Sequence, residues 1–121
     1  MTTREIKDHK VNEANEQITV LALDGPGPGG ASHVYEVSLN NGQPPSYLCF
    51  QNGAIKEAGV NGITHEVLLA VVADRLRAFQ AGPYACRENA LALTKIEEAQ
   101  HWLHHRTRAR LARGVEGTME K

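Results

Sequence analysis

Arginine carries the most pointed chemistry in this chain. Arg106, Arg110 and Arg113 stand at i, i+4 and i+7, while Arg108 falls on another side, and no acidic residue occurs between Gln100 and Val115. On a helix that spacing projects three guanidinium groups from one face. Guanidinium forks match phosphate oxygens in pairs and stay charged at any physiological pH, so the pattern points to anion binding. A solvated helix end is the competing reading. Cations near a helix C-terminus complement its dipole by about 0.3–1 kcal/mol each. That accounts for one or two arginines in a last turn and does not require three in line.

Other candidate sets are weaker. His101, His104 and His105 lie within five residues, and His101 with His105 share a helical face at a spacing that can ligate zinc. Glu98-x-x-His101 is half of a di-iron motif, but no second Glu-x-x-His exists. His65-Glu66 is followed by Val67-Leu68-Leu69, so a zinc-protease motif is missing too. No metal site and no cofactor are expected. Gly25, Gly27 and Gly30 formally satisfy G-x-G-x-x-G, yet Pro26 and Pro28 interrupt them and a strand pattern follows. A phosphate cradle needs a helix there, and the run reads as a flexible hairpin connection. Cys86 precedes a helix but has no identifiable histidine partner, so a small buried thiol is the ordinary reading. No catalytic residue is assigned.

Two positions could complete an anion site. Asn89, Ile96, Leu103 and Arg110 share a helix face by heptad steps, which makes Asn89 either a cap or a ligand contact. Phe79 closes the apolar stripe of the preceding helix, where it either packs in the core or stacks on a purine.

The elements that must position these residues follow from periodicity. Residues 1–17 carry many charges and read as a polar arm that adds little to the core. Residues 18–52 hold three strand patterns, Ile18–Leu23, Val34–Leu39 and Tyr47–Gln51, separated by Gly, Pro and Asn-Gly turns. Residues 63–113 read as a helical hairpin. Its first helix has Thr64 as N-cap, the stripe Leu68, Val72, Leu76 and Phe79, and a stop at Gly82-Pro83. The second runs from about Arg87 to Arg113, with Gly114 as its C-terminal cap and 114–121 as a tail. The fold class is therefore α+β: a small N-terminal antiparallel sheet, then an antiparallel helical hairpin that oligomerises through its helices.

With 121 residues, the chain is one domain's worth and leaves little room for a private pocket. A net charge of −1 argues against an overall basic nucleic-acid binder. No apolar run is long enough to span a membrane, and the polar start is unlike a signal peptide. Two cysteines are too few for a disulfide scaffold, so a soluble, reduced, cytosolic protein is expected.

The segments FQNGAIKEAGVNGITHEVLLAVVADRLRAFQ and GPYACRENALALTKIEEAQHWLHHRTRARLARGVEGT resemble the first described family of phage Thoeris anti-defence sponges. That family shares its hairpin with the anti-CBASS sponges. GVNGIT, CRENALALTK and RGVEGT carry the resemblance, which runs from about Phe50 to Thr118. It implies a non-catalytic protein that sequesters a cyclic ADP-ribose isomer made by TIR-domain enzymes, in the cytoplasm of the infected bacterium. Some members also bind cyclic dinucleotides and trinucleotides at separate sites and assemble as dimers or hexamers. The resemblance places ligand contacts between subunits, at Phe79, Asn89, Arg106 and Arg110, and less firmly at Arg113 and Thr118. Arg87 is the candidate for the second site. His101, His104 and His105 fall on a variable stretch and receive no role. The alternative is a small phage nucleic-acid-binding protein that sets the Arg106, Arg110 and Arg113 face on phosphates, with neither membrane nor nucleic acid expected under the sponge reading.

Overall fold

The computed structural model describes residues 3–121. Their contacts divide into two units, one ending at Ile63 and one beginning at Thr64.

In the first unit, β1 (Arg4–Ile6), β2 (Ile18–Ala22), β3 (Val34–Leu39) and β4 (Ser46–Cys49) form an antiparallel sheet in chain order. Val20 faces Val37 across β2 and β3, and Tyr35 faces Leu48 across β3 and β4. The three sequence strands are present, and the polar arm supplies a fourth. Arg4, Glu5 and Ile6 pair with Ala22, Leu21 and Val20. An edge strand tolerates charge, because ladder hydrogen bonds come from the backbone and one side stays in water. The arm also holds a one-turn helix, α1 (Glu13–Glu16), capped by Asn12.

The Gly/Pro connection between β2 and β3 is held rather than slack. Both carboxylate oxygens of Asp24 accept the His33 amide, at 3.0 and 2.9 Å, and Oδ1 also accepts from Val34 at 3.0 Å. Ser32 donates to the Asp24 carbonyl at 2.8 Å, and the His33 ring lies 3.0 Å from the Pro28 carbonyl through Nε2. The amides of Val34 and His33 hold the Asp24 carboxyl below its ordinary pKa.

Residues 50–63 close the unit by folding back on β4, with Phe50 bridging Ile63 around the short helix α2 (Ile55–Ala58). Gln51 reaches the carbonyls of Gly53 and Gly59, and Asn61 exchanges hydrogen bonds with the backbone of Asn52. A Cβ at Gly62 would sit 2.4 Å from the Phe50 carbonyl carbon, so that approach admits glycine alone.

The second unit is a helical hairpin of α3 (His65–Gln80) and α4 (Arg87–Arg113). Thr64 caps α3, its side chain accepting from the Val67 amide, as the sequence predicts. Gln80 fastens the connection by donating to the Cys86 carbonyl at 3.1 Å and accepting the Cys86 amide at 3.0 Å. The stripe on α3 is rotated from the expected one. Ala73 is fully buried, Leu69 and Gln80 are half-buried beside the expected Leu68 and Leu76, and Val72 and Phe79 stay exposed. A methyl side chain lets two helix backbones approach closely, so the seam centres on Ala73 rather than on the larger valine. On α4 the sheltered positions are Asn89, Leu93, Ile96, Gln100, Leu103, Thr107 and Arg110, with Ala99 beside them. Alternating steps of four and three are the spacing of a helix seam. At about 1.5 Å per residue α3 is about 24 Å long and α4 about 40 Å, so the last ten or so residues of α4 have no length of α3 beside them.

Candidate functional site

That unaccompanied end of α4 carries the arginines, and the structure gives each a different task. Arg106 is exposed and makes no ion pair among the described residues. Arg110 is only 6% exposed. Its Nε donates to Glu116 at 2.8 Å, and its other nitrogens donate to the carbonyls of Val115 (2.8 Å), Thr118 (3.1 Å) and Glu120. Arg113 is exposed and donates to the Lys121 carbonyl. The chain can return this way because Gly114 ends α4 in the left-handed region, at φ 74°. Thr118 donates its hydroxyl to the Val115 carbonyl and accepts the Glu120 amide, which makes it a turn-former within the tail. Glu116 was not a sequence candidate. Its glutamate is ordinary until the chain folds back onto the arginine six residues earlier.

The aromatic candidate lies at the hairpin's closed end. Phe79 is partly exposed and lines an open groove of about 330 Å³ with Arg75, Ala78, Gly82, Pro83 and Tyr84. The Arg75 guanidinium sits 5.1 Å from the centre of the Phe79 ring. Phe79 is therefore available for stacking rather than committed to a core. Neither Arg75 nor Tyr84 was a sequence candidate: Arg75 meets Phe79 at i, i+4 on α3, whereas Tyr84 reaches the groove only through the turn. Asn89 is half-buried in the first turn of α4 and is not the cap: Cys86 is, its sulfur accepting the Asn89 amide at 3.4 Å. Cys86 is thus an exposed N-cap and not the buried thiol expected. Arg87 is exposed at the first helical position, where the dipole disfavours a cation, so local helix energetics do not account for it.

Two clusters are thereby separated on one rod. From Asn89 to Arg106 is seventeen residues of continuous helix, roughly 25 Å of rise. Phe79 and Asn89 share the closed end; Arg106, Arg110, Arg113 and Thr118 share the other. His101 and His105 flank the exposed Trp102 edge-on, with ring centres 5.4 and 5.8 Å away. Among the described residues no group of three His, Cys, Asp or Glu side chains could hold a metal ion. Neither is any helix long and apolar enough to cross a membrane.

Comparison with known proteins meets this geometry in the same stretch. Residues 50–108 match the family described as Acb2/Tad1, hairpin domain. A curated relative, Thoeris anti-defense 1 of Bacillus phage SBSphiJ7, is 54% identical over 72 residues, covering 60% of this chain and 51% of the phage protein. The chain thus spans about half the length of the curated relative it matches.

Proposed function

Because residues 50–108 match the family described as Acb2/Tad1, hairpin domain, we propose that this chain is an anti-defence sponge. It binds and sequesters a cyclic ADP-ribose isomer made by TIR-domain enzymes inside the infected bacterium, without degrading it. The observation that carries the reading is the separation along α4. A ring for stacking and guanidinium groups for phosphates are what a cyclic dinucleotide-like ligand needs. Yet Asn89, at the end of the rod that carries Phe79, and Arg106 stand roughly 25 Å apart on one subunit, far beyond the reach of one such ligand.

Two antiparallel copies solve this. The closed end of one hairpin then lies beside the arginine end of the other, so Phe79 and Asn89 of one subunit meet Arg106, Arg113 and Thr118 of its partner. The exposed apolar residues of the hairpin fit such an assembly, since Val67, Val71 and Val72 leave α3 unfinished as a solvent face. Self-association as a dimer, or as a hexamer built from dimers, belongs to this proposal. Arg87, at the start of α4, is the candidate contact for cyclic dinucleotides or trinucleotides at a separate site.

A release experiment tests the reading. The protein is incubated with the cyclic ADP-ribose isomer until free ligand disappears, then heat-denatured, and the supernatant is analysed by chromatography. Recovery of intact ligand supports a sponge. Recovery of a linear product would make the protein a hydrolase, and no depletion at the first step would remove this ligand altogether.

A further inference from the structure

Resting on the sponge reading, we propose that Arg110 is a positioning residue: it clamps residues 115–120 into a wall of the anion site and leaves the phosphate to Arg106. A charged side chain this deeply buried must find partners, and Arg110 finds all of them in one short segment. Of its five N–H donors, four hydrogen bonds run to Glu116, Val115, Thr118 and Glu120. A phosphate gripped in bidentate fashion needs two adjacent N–H groups, and one N–H remains. The Glu116 carboxylate, 2.8 Å from Nε, also cancels the charge that would attract an anion. Arg110 is therefore spent on the tail.

The tail needs that clamp. It has neither helix nor strand, and its own bonds are confined to single turns, such as Thr118 N to Val115 O at 3.1 Å. Its anchor, Arg110, stands one helical turn from Arg106, where side chains are neighbours. In the proposed site, chain held at that anchor keeps water from one flank of the Arg106–phosphate contact. Less water means a lower local dielectric and a stronger charge-assisted bond from Arg106 to phosphate.

The alternatives differ in sign, so full-length variants separate them. Arg110→Lys keeps the charge but loses the fork; Glu116→Ala removes the only carboxylate in the clamp; Arg106→Ala removes the proposed contact. Affinity for the cyclic ADP-ribose isomer is measured by calorimetry, and hydrogen exchange is followed at the Val115 and Thr118 amides. Arg110→Lys and Glu116→Ala should each accelerate exchange at those amides and each weaken binding by about tenfold. Their combination should be no weaker than the weaker single variant, because one clamp is lost once. Arg106→Ala should weaken binding without touching exchange. Binding by Glu116→Ala as tight as wild type or tighter would overturn the proposal, since a carboxylate merely competing with phosphate gives that result. Unchanged exchange in Arg110→Lys would overturn it too. If the wild-type chain binds no cyclic nucleotide, the sponge reading fails and the wall falls with it, while exchange still decides whether Arg110 clamps the tail.

Discussion

At the scale of single residues, the same side-chain type does opposite jobs a turn apart. Arg106 and Arg110 are both guanidinium groups on one side of α4, yet one meets solvent and the other is enclosed by carbonyls and a carboxylate. Reversing the exposed charge is the direct test of its task. Arg106→Glu should lower affinity for the cyclic ADP-ribose isomer by about a hundredfold or more, because a like charge then faces phosphate. Calorimetry with an unchanged circular-dichroism spectrum would establish this, and full affinity in the variant would remove Arg106 from the site. Asp24 offers a test in the other unit. Its carboxylate is stabilised by the Val34 and His33 amides, which lowers its pKa in the folded protein. Stability from that group is then fully present above the unfolded value, about 3.9, and is lost as pH falls through the lower folded value. Asp24→Asn should unfold less acid-dependently than wild type below about pH 4, and parallel acid titrations followed by circular dichroism would check it. The alignment of Arg106, Arg110 and Arg113 was legible from spacing alone. The burial of Arg110 was not, because it depends on a reversal after Gly114 that brings Glu116 back, and no local pattern announces that partner.

At the scale of elements, boundaries read more clearly than faces. Thr64 and Gly114 mark helix ends through capping chemistry that acts within a few residues, so α3 begins and α4 ends where the sequence places them. The seam of α3 was misjudged by one position because hydrophobicity favours Val72, whereas close packing selects Ala73. β1 was missed because its residues are polar and its stability lies in backbone pairing with β2. Backbone approach also explains the segment before the hairpin. At Gly62 a methyl group would meet the Phe50 backbone at 2.4 Å, and the carbonyls of Phe50 and Cys49 lie nearly as close. Gly62→Ala should therefore destabilise the protein by about 2 kcal/mol or more, the cost of forcing backbones apart. Gly82→Ala is the control, since its nearest atom, the Ala78 carbonyl oxygen, would be 3.4 Å away. A lower denaturant midpoint in the first variant with a smaller shift in the second is the expected result; equal midpoints would contradict it.

At the scale of the whole molecule, the hairpin buries too little by itself. Ala73 is its one fully buried apolar residue, while Val71 and Trp102 are each 61% exposed. Val67 and Val71 stand at i, i+4 on α3, and the rotation of the seam toward Ala73 is what leaves them outside. Under the sponge proposal this apolar strip is the surface through which copies associate. Under the same proposal, the separation of Phe79 from Arg106 calls for association for a different reason, namely that one ligand would meet both. If one interface satisfies both demands, a charge on the valine strip must disrupt assembly and ligand binding together. Val71→Glu keeps a good helix former at an exposed position, so α3 itself should persist. Light scattering should then give a smaller mass than wild type at equal concentration, and calorimetry should find the cyclic ADP-ribose isomer bound at least about tenfold more weakly. A variant of reduced mass that still binds with full affinity would place the whole site within one subunit, against the distance along α4. An unchanged mass would instead assign the valine strip to some contact other than self-association.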